Sequence, residues 1–114
     1  MSSGGGASGN HASLIEIDRV FLLAAAFVDG SVRVFVRQNS GSDPLVWTTY
    51  TESVPVVSGG ASVSLMKTGY ASNLFSKRVE MLVVTSGWTT VQHLYLADDM
   101  QWTPVGAAFG NLNQ

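Results

Sequence analysis

The chain has 114 residues, no cysteine, 12% charged residues and a formal net charge of −2. That length sets one domain with a core of its own. The missing cysteines exclude a disulfide framework and a thiolate metal site. Six basic residues are too few to track a phosphate backbone, so nucleic acid is not an expected partner.

Residues 1–13 are rich in Gly and Ser and read as a flexible arm, with no basic n-region of a signal peptide. Leu14-Ile15-Glu16-Ile17 fits a short strand or a helical turn. Val20 to Val28 (VFLLAAAFV) is apolar throughout, so periodicity alone cannot assign it. Its three alanines favour helix. Its nine residues and the Asp29-Gly30 that follows favour a buried strand in a hairpin, and a strand is the expectation. Nine apolar residues are also too few to span a bilayer, so membrane insertion is not expected.

Ser31 to Arg37 is the clearest strand in the chain. Val32, Val34 and Val36 point one way; Ser31, Arg33, Phe35 and Arg37 point the other. Residues 38–44 (QNSGSDP) form a loop by composition. Residues 45–51 (LVWTTYT) are β-branched and aromatic and read as a strand. Residues 53–57 read as an edge strand because Pro55 cannot donate to a ladder. After Ser58-Gly59-Gly60, strands are expected at 61–67, 78–84, 89–97 and 100–105, the last again at an edge because of Pro104. A loop at 68–77 carries Tyr70, Leu74 and Phe75. No amphipathic helix stands out, and the class is all-β and antiparallel, in a single domain over 14–114.

The elements double. An apolar strand, a Val-Arg-Val-Phe strand, a Trp/Tyr strand and a Pro-bearing edge occupy about 20–57. A similar series occupies about 61–106. Laying Arg33 on Glu80 also lays Val32, Val34 and Val36 on Val79, Met81 and Val83. Two four-stranded, blade-like repeats follow, either as part of a propeller-like assembly or as a β-sandwich.

Val32-Arg33-Val34-Phe35, a polar Gly-containing loop and a strand with Trp47 resemble a blade of the fucose-binding β-propeller lectins of fungi and bacteria. The order Val63-Ser64-Leu65, Arg78-Val79-Glu80-Met81-Leu82, Gln92 and Trp102 resembles a second blade. The resemblance implies a homo-oligomer: small bacterial members carry two blades per chain, and three chains complete a six-bladed ring. It also implies a sugar held by an Arg, a Glu and a Trp. Arg33 matches the Arg. In the first repeat the Glu position falls near Pro44-Leu45, with Asp43 nearby. In the second, Glu80 stands where the family has Arg, and Gln92 where it has Glu.

Side-chain chemistry points the same way. Trp47, Trp88 and Trp102 can stack on the apolar face of a sugar ring while Arg, Asp or Gln bonds the hydroxyls. Trp88 and Trp102 follow turns and are expected to be more exposed than mid-strand Trp47. The candidate ligand-binding residues are therefore Arg33, Trp47, Glu80, Gln92, Trp88 and Trp102. No catalytic constellation is visible. His11 lies in the arm, His93 is a lone strand histidine, no Gly-x-Ser-x-Gly elbow occurs, and Asp98-Asp99 suits a turn. No cofactor or metal is expected. The expected function is non-catalytic, lectin-like glycan binding by an oligomer. The alternative is a structural, self-assembling β protein, suggested by low charge and many strands with few charged gatekeepers.

Overall fold

The computed structural model describes residues 7–38, 46–56, 59–70 and 72–110, with side chains from residue 12 onward. Eight strands form two antiparallel four-stranded meanders. The first holds β1 (Ala7–Ile17), β2 (Val20–Phe27), β3 (Val32–Gln38) and β4 (Thr48–Thr51). The second holds β5 (Gly60–Lys67), β6 (Val79–Thr85), β7 (Val91–Leu96) and β8 (Trp102–Pro104). The described residues contain no helix. The all-β architecture is compatible with two blade-like repeats or a sandwich.

The VFLLAAAF stretch is a strand. It lies between β1 and β3, so its backbone groups pair on both sides. The alanines lose their helix preference to this tertiary pairing. Leu22, Ala24 and Ala26 turn inward and are fully buried. The Asp29-Gly30 turn forms as expected: Phe27 N–H donates to the Ser31 carbonyl at 2.9 Å, and Gly30 takes a φ of 88°. The turn between β7 and β8 repeats this geometry, with Ala97 N–H on the Gln101 carbonyl, but places Met100 at φ 68°.

One core lies between the sheets. Leu22, Ala24, Ala26, Val32 and Val34 face Val63, Leu65, Val79, Met81, Val83 and Leu94. Hydrogen bonds join the layers at separate points. Leu65 N–H donates to Ser13 Oγ at 2.9 Å, tying β5 to β1. Trp102 Nε1–H donates to Thr51 Oγ1 at 3.0 Å, tying β8 to β4. Gly60 N–H donates to the Gly30 carbonyl at 2.8 Å, and Ser86 N–H to the Gly59 carbonyl at 3.0 Å, which links two hairpin turns through the β4–β5 connection. Gly60 is required there by space. A Cβ would collide with Val32 Cγ2 and lie 2.9 Å from Val83 Cγ1.

Three expectations need correcting. The strand β1 begins at Ala7, so residues 7–13, assigned to the arm by composition, are strand; residues 1–6 lie outside the described residues. With β1 in front, β3 is the third strand of its sheet and matches β7 in order, not β6. The overlay of Arg33 on Glu80 is therefore displaced by one strand. Residues 53–56 are not a strand. Val54 is nonetheless buried, and its N–H donates to the Val32 carbonyl at 2.8 Å, so the segment packs without extending the ladder. Residues 39–45, including Asp43, Pro44 and Leu45, and residues 57 and 58 lie outside the described residues.

Two aspartates hold the middle of the β5–β6 connection. Asp18 accepts from the Ser76 backbone and hydroxyl, and Asp98 from Asn73. Hydrogen bonds from the Ser76 hydroxyl and then its backbone hold the Asp18 carboxyl below its usual range.

Candidate functional site

The alternation of β3 sends Arg33, Phe35 and Arg37 to the outer face of the first sheet. Pairing of Phe35 with Thr49 and Val36 with Thr48 lays β4 alongside. A register shift between Val34 and Phe35 follows, and the chain leaving β4 brings Glu52 and Ser53 back beside Arg33. The result is an open concavity of about 360 Å³ lined by Ser31, Arg33, Phe35, Thr49, Glu52 and Ser53. It offers one cation, one carboxylate, three hydroxyls and an aromatic ring.

Arg33 is well oriented. Its guanidinium lies 4.7 Å from the centroid of the Phe27 ring, and Phe27 meets Phe35 edge to face at 6.3 Å. Arg33 Nε–H donates to Ser31 Oγ at 3.3 Å, and Ser31 Oγ–H donates to Asp29 Oδ1 at 2.7 Å. Arg33 Nη2 lies 3.7 Å from Asp29 Oδ2. The Ser31 hydroxyl and then its backbone N–H hold the Asp29 carboxyl below its ordinary range.

Trp47 lies on the same face. It is 39% exposed, and Arg37 sits between it and Phe21, at 5.5 and 4.8 Å from the two ring centroids. The other candidates scatter. Trp102 is 3% exposed and Gln92 is 2% exposed; both face the core, which removes them from a surface site. The expectation that Trp102 is more accessible than Trp47 is reversed. A turn nearby did not expose Trp102, because the alternation of β8 directs the indole inward, onto Thr51. Trp88 is exposed at the β6–β7 turn of the second sheet, with a φ of 60°, and does not line the concavity around Arg33.

Glu80 lies on the outer face of the second sheet, where it serves a different arrangement. Its Oε2 accepts from Arg78 Nε at 3.1 Å and Nη2 at 3.0 Å, and its Oε1 meets His93 Nε2 at 2.5 Å. Arg78 is stacked between Tyr70 and Tyr95, at 5.0 and 4.8 Å. Burial pushes the Glu80 carboxyl up, but the bonds from His93 and Arg78 outweigh it and leave the pKa lowered. Both carboxylate oxygens are engaged, so Glu80 reads as part of a closed structural network.

Of the six candidates, Arg33 alone lines the concavity; Trp47 shares its face of the sheet but packs on Arg37, four residues further along β3. The structure adds Glu52, which strand-by-strand reading missed. The signal that could have found it is the hairpin register of β3 and β4, which folds residue 52 back towards residue 33. No group of three or more potential metal ligands occurs among the described residues. Comparisons with protein-family models, curated proteins and solved structures find no match.

Proposed function

We propose that the protein is a non-catalytic, lectin-like carbohydrate-binding protein that works as an oligomer, with its site on the outer face of the first sheet. The observation that carries this reading is the concavity in which Arg33 and Glu52 flank Phe35. A sugar hydroxyl can accept from Arg33 and donate to Glu52, while the apolar face of the ring rests on Phe35. Trp47, just before β4, adds an aromatic surface on the same face beside Arg37. A glycan array probed with the folded wild type and with Arg33→Ala and Glu52→Ala tests it. Both variants are expected to lose at least about tenfold in affinity, the scale of one charged hydrogen bond. Failure of the folded wild type to bind any glycan sinks the reading.

A second reading, a structural self-assembling protein, is favoured by β2. This strand is apolar on both faces, as strands covered on both sides are. Its outer face presents Phe21, Leu23, Ala25 and Phe27. Assembly would use faces rather than edges: β1 and β5 contact each other, while β4 and β8 have four and three residues. Light scattering tests it: a monomer at high protein concentration removes this reading and the oligomeric part of the first, whereas an oligomer that binds no glycan favours it alone.

A further inference from the structure

The Arg33 guanidinium does not reach the concavity alone. It is part of a relay that begins in the β2–β3 turn. Asp29 Oδ1 accepts both the backbone N–H of Ser31 at 2.9 Å and its hydroxyl at 2.7 Å. That fixes the Ser31 hydroxyl so that its remaining lone pairs face Arg33 Nε. Asp29 Oδ2 then stands 3.7 Å from Nη2. A guanidinium is planar and rigid, so the Nε–H bond to Ser31 and the ring beneath it orient the other N–H groups, with Asp29 adding an ion pair and no hydrogen bond. Phe27 holds the plane from below.

The relay also sets the charge of the site. Glu52 lines the concavity together with Arg33, and Asp29 stands beside the same arginine at the β2–β3 turn, 3.7 Å from Nη2. Two carboxylates against one guanidinium leave the rim at −1. A neutral hydroxylated ring meets donors and acceptors without penalty. A ring bearing its own carboxylate meets an arginine already shared with Asp29 and a net negative field.

We infer that Asp29, acting through Ser31, is the positioning residue of this site: it aims Arg33 into the concavity and makes the site select uncharged saccharides over carboxylate-bearing ones. This rests on the carbohydrate-binding reading above. Asp29 and Ser31 do not themselves have to touch the sugar for it to hold.

Three substitutions separate the roles. Asp29→Asn keeps an acceptor for Ser31 and removes the charge. Ser31→Ala removes the relay and keeps the charge, and Ser31→Thr restores a hydroxyl. Binding is measured by NMR titration of the labelled protein with two matched pairs of probes: methyl galactoside with methyl galacturonate, and methyl glucoside with methyl glucuronate. The Arg33 Nε–H signal is followed directly. The wild type is expected to favour the neutral member of a pair. Asp29→Asn is expected to narrow that preference by about fivefold, the effect of one partly screened charge at this range. Ser31→Ala is expected to weaken the neutral probe by about five- to tenfold and to speed exchange of Nε–H, with Ser31→Thr recovering both. An unchanged neutral-to-acidic ratio in Asp29→Asn overturns the charge selection. Equal behaviour of Ser31→Ala and Ser31→Thr overturns the relay. If the folded wild type binds no member of either pair but does bind glycans on the array, the inference fails while the carbohydrate-binding reading stands. If it binds neither, both fail.

Discussion

The contact between the sheets can be tested at one atom. In Gly60→Ala the new Cβ collides with Val32 Cγ2 and lies 2.9 Å from Val83 Cγ1, so it meets both layers. Overpacking of a core costs about 1–3 kcal/mol, and a two-sided clash belongs at the upper end. The φ of Gly60 is not in the left-handed region, so alanine gains about 0.4–1 kcal/mol from a less flexible unfolded chain. The net loss is about 2 kcal/mol, or a fall in Tm on the order of 8 °C for a domain of this size. Val32→Ala alone removes the Cγ atoms of a residue 1% exposed and is expected to cost about 2 kcal/mol. Together the two substitutions place the new methyl where Cγ2 was, and the pair is expected to be less damaging than the sum by at least about 1 kcal/mol. Urea unfolding followed by fluorescence of buried Trp102 reads all three variants. A Gly60→Ala protein within about 0.5 kcal/mol of wild type, or strict additivity with Val32→Ala, would refute the packing argument.

Two further predictions concern other parts of the molecule. Met100 occupies the left-handed position that Gly30 fills in the matching turn, so Met100→Gly is expected to stabilise by a few tenths to about 1 kcal/mol, checked by thermal melting; a lower Tm would contradict it. The Glu80 carboxyl has a folded pKa below its unfolded value, so its stabilisation is present above the unfolded value and is lost as pH falls through the folded one. The urea midpoint is thus expected to fall on acidification below about pH 4, and Glu80→Gln, which lowers stability at neutral pH, should flatten that fall; an unchanged acid limb in the variant would assign it to other carboxylates.

The sequence was most legible where alternation was clean. The face of Val32 and Val34 was readable because period-two patterning and a Gly turn agree. Periodicity alone is silent over residues 20–28, since both faces of β2 are apolar; its length and the Asp29-Gly30 turn pointed to the strand that pairing with β1 and β3 forms. Composition hid β1: its Gly, Ser and Ala residues have weak strand preference, and its pairing partner supplies the order. The site was half visible. Arg33 and Trp47 followed from the strand pattern, but Glu52 enters through a register shift that no single strand encodes. Gln92, matched to the Glu of the resembled family, and Trp102, next to a turn, both lie on the strand face that β7 and β8 present to the core, which neither the match nor the turn indicates.

The two sheets share an economy of chain path. Within each, every strand pairs with its sequence neighbour, and no connection crosses the sheet. Two of the hydrogen bonds that join the layers, Leu65 to Ser13 and Trp102 to Thr51, span 52 and 51 residues. Loop-closure entropy rises slowly with length, so the long closures add little more than the short ones, and the second closes over a chain the first has already shortened. Each meander can gather its strands from local contacts, and the long-range commitment is concentrated in a single docking of two preformed faces.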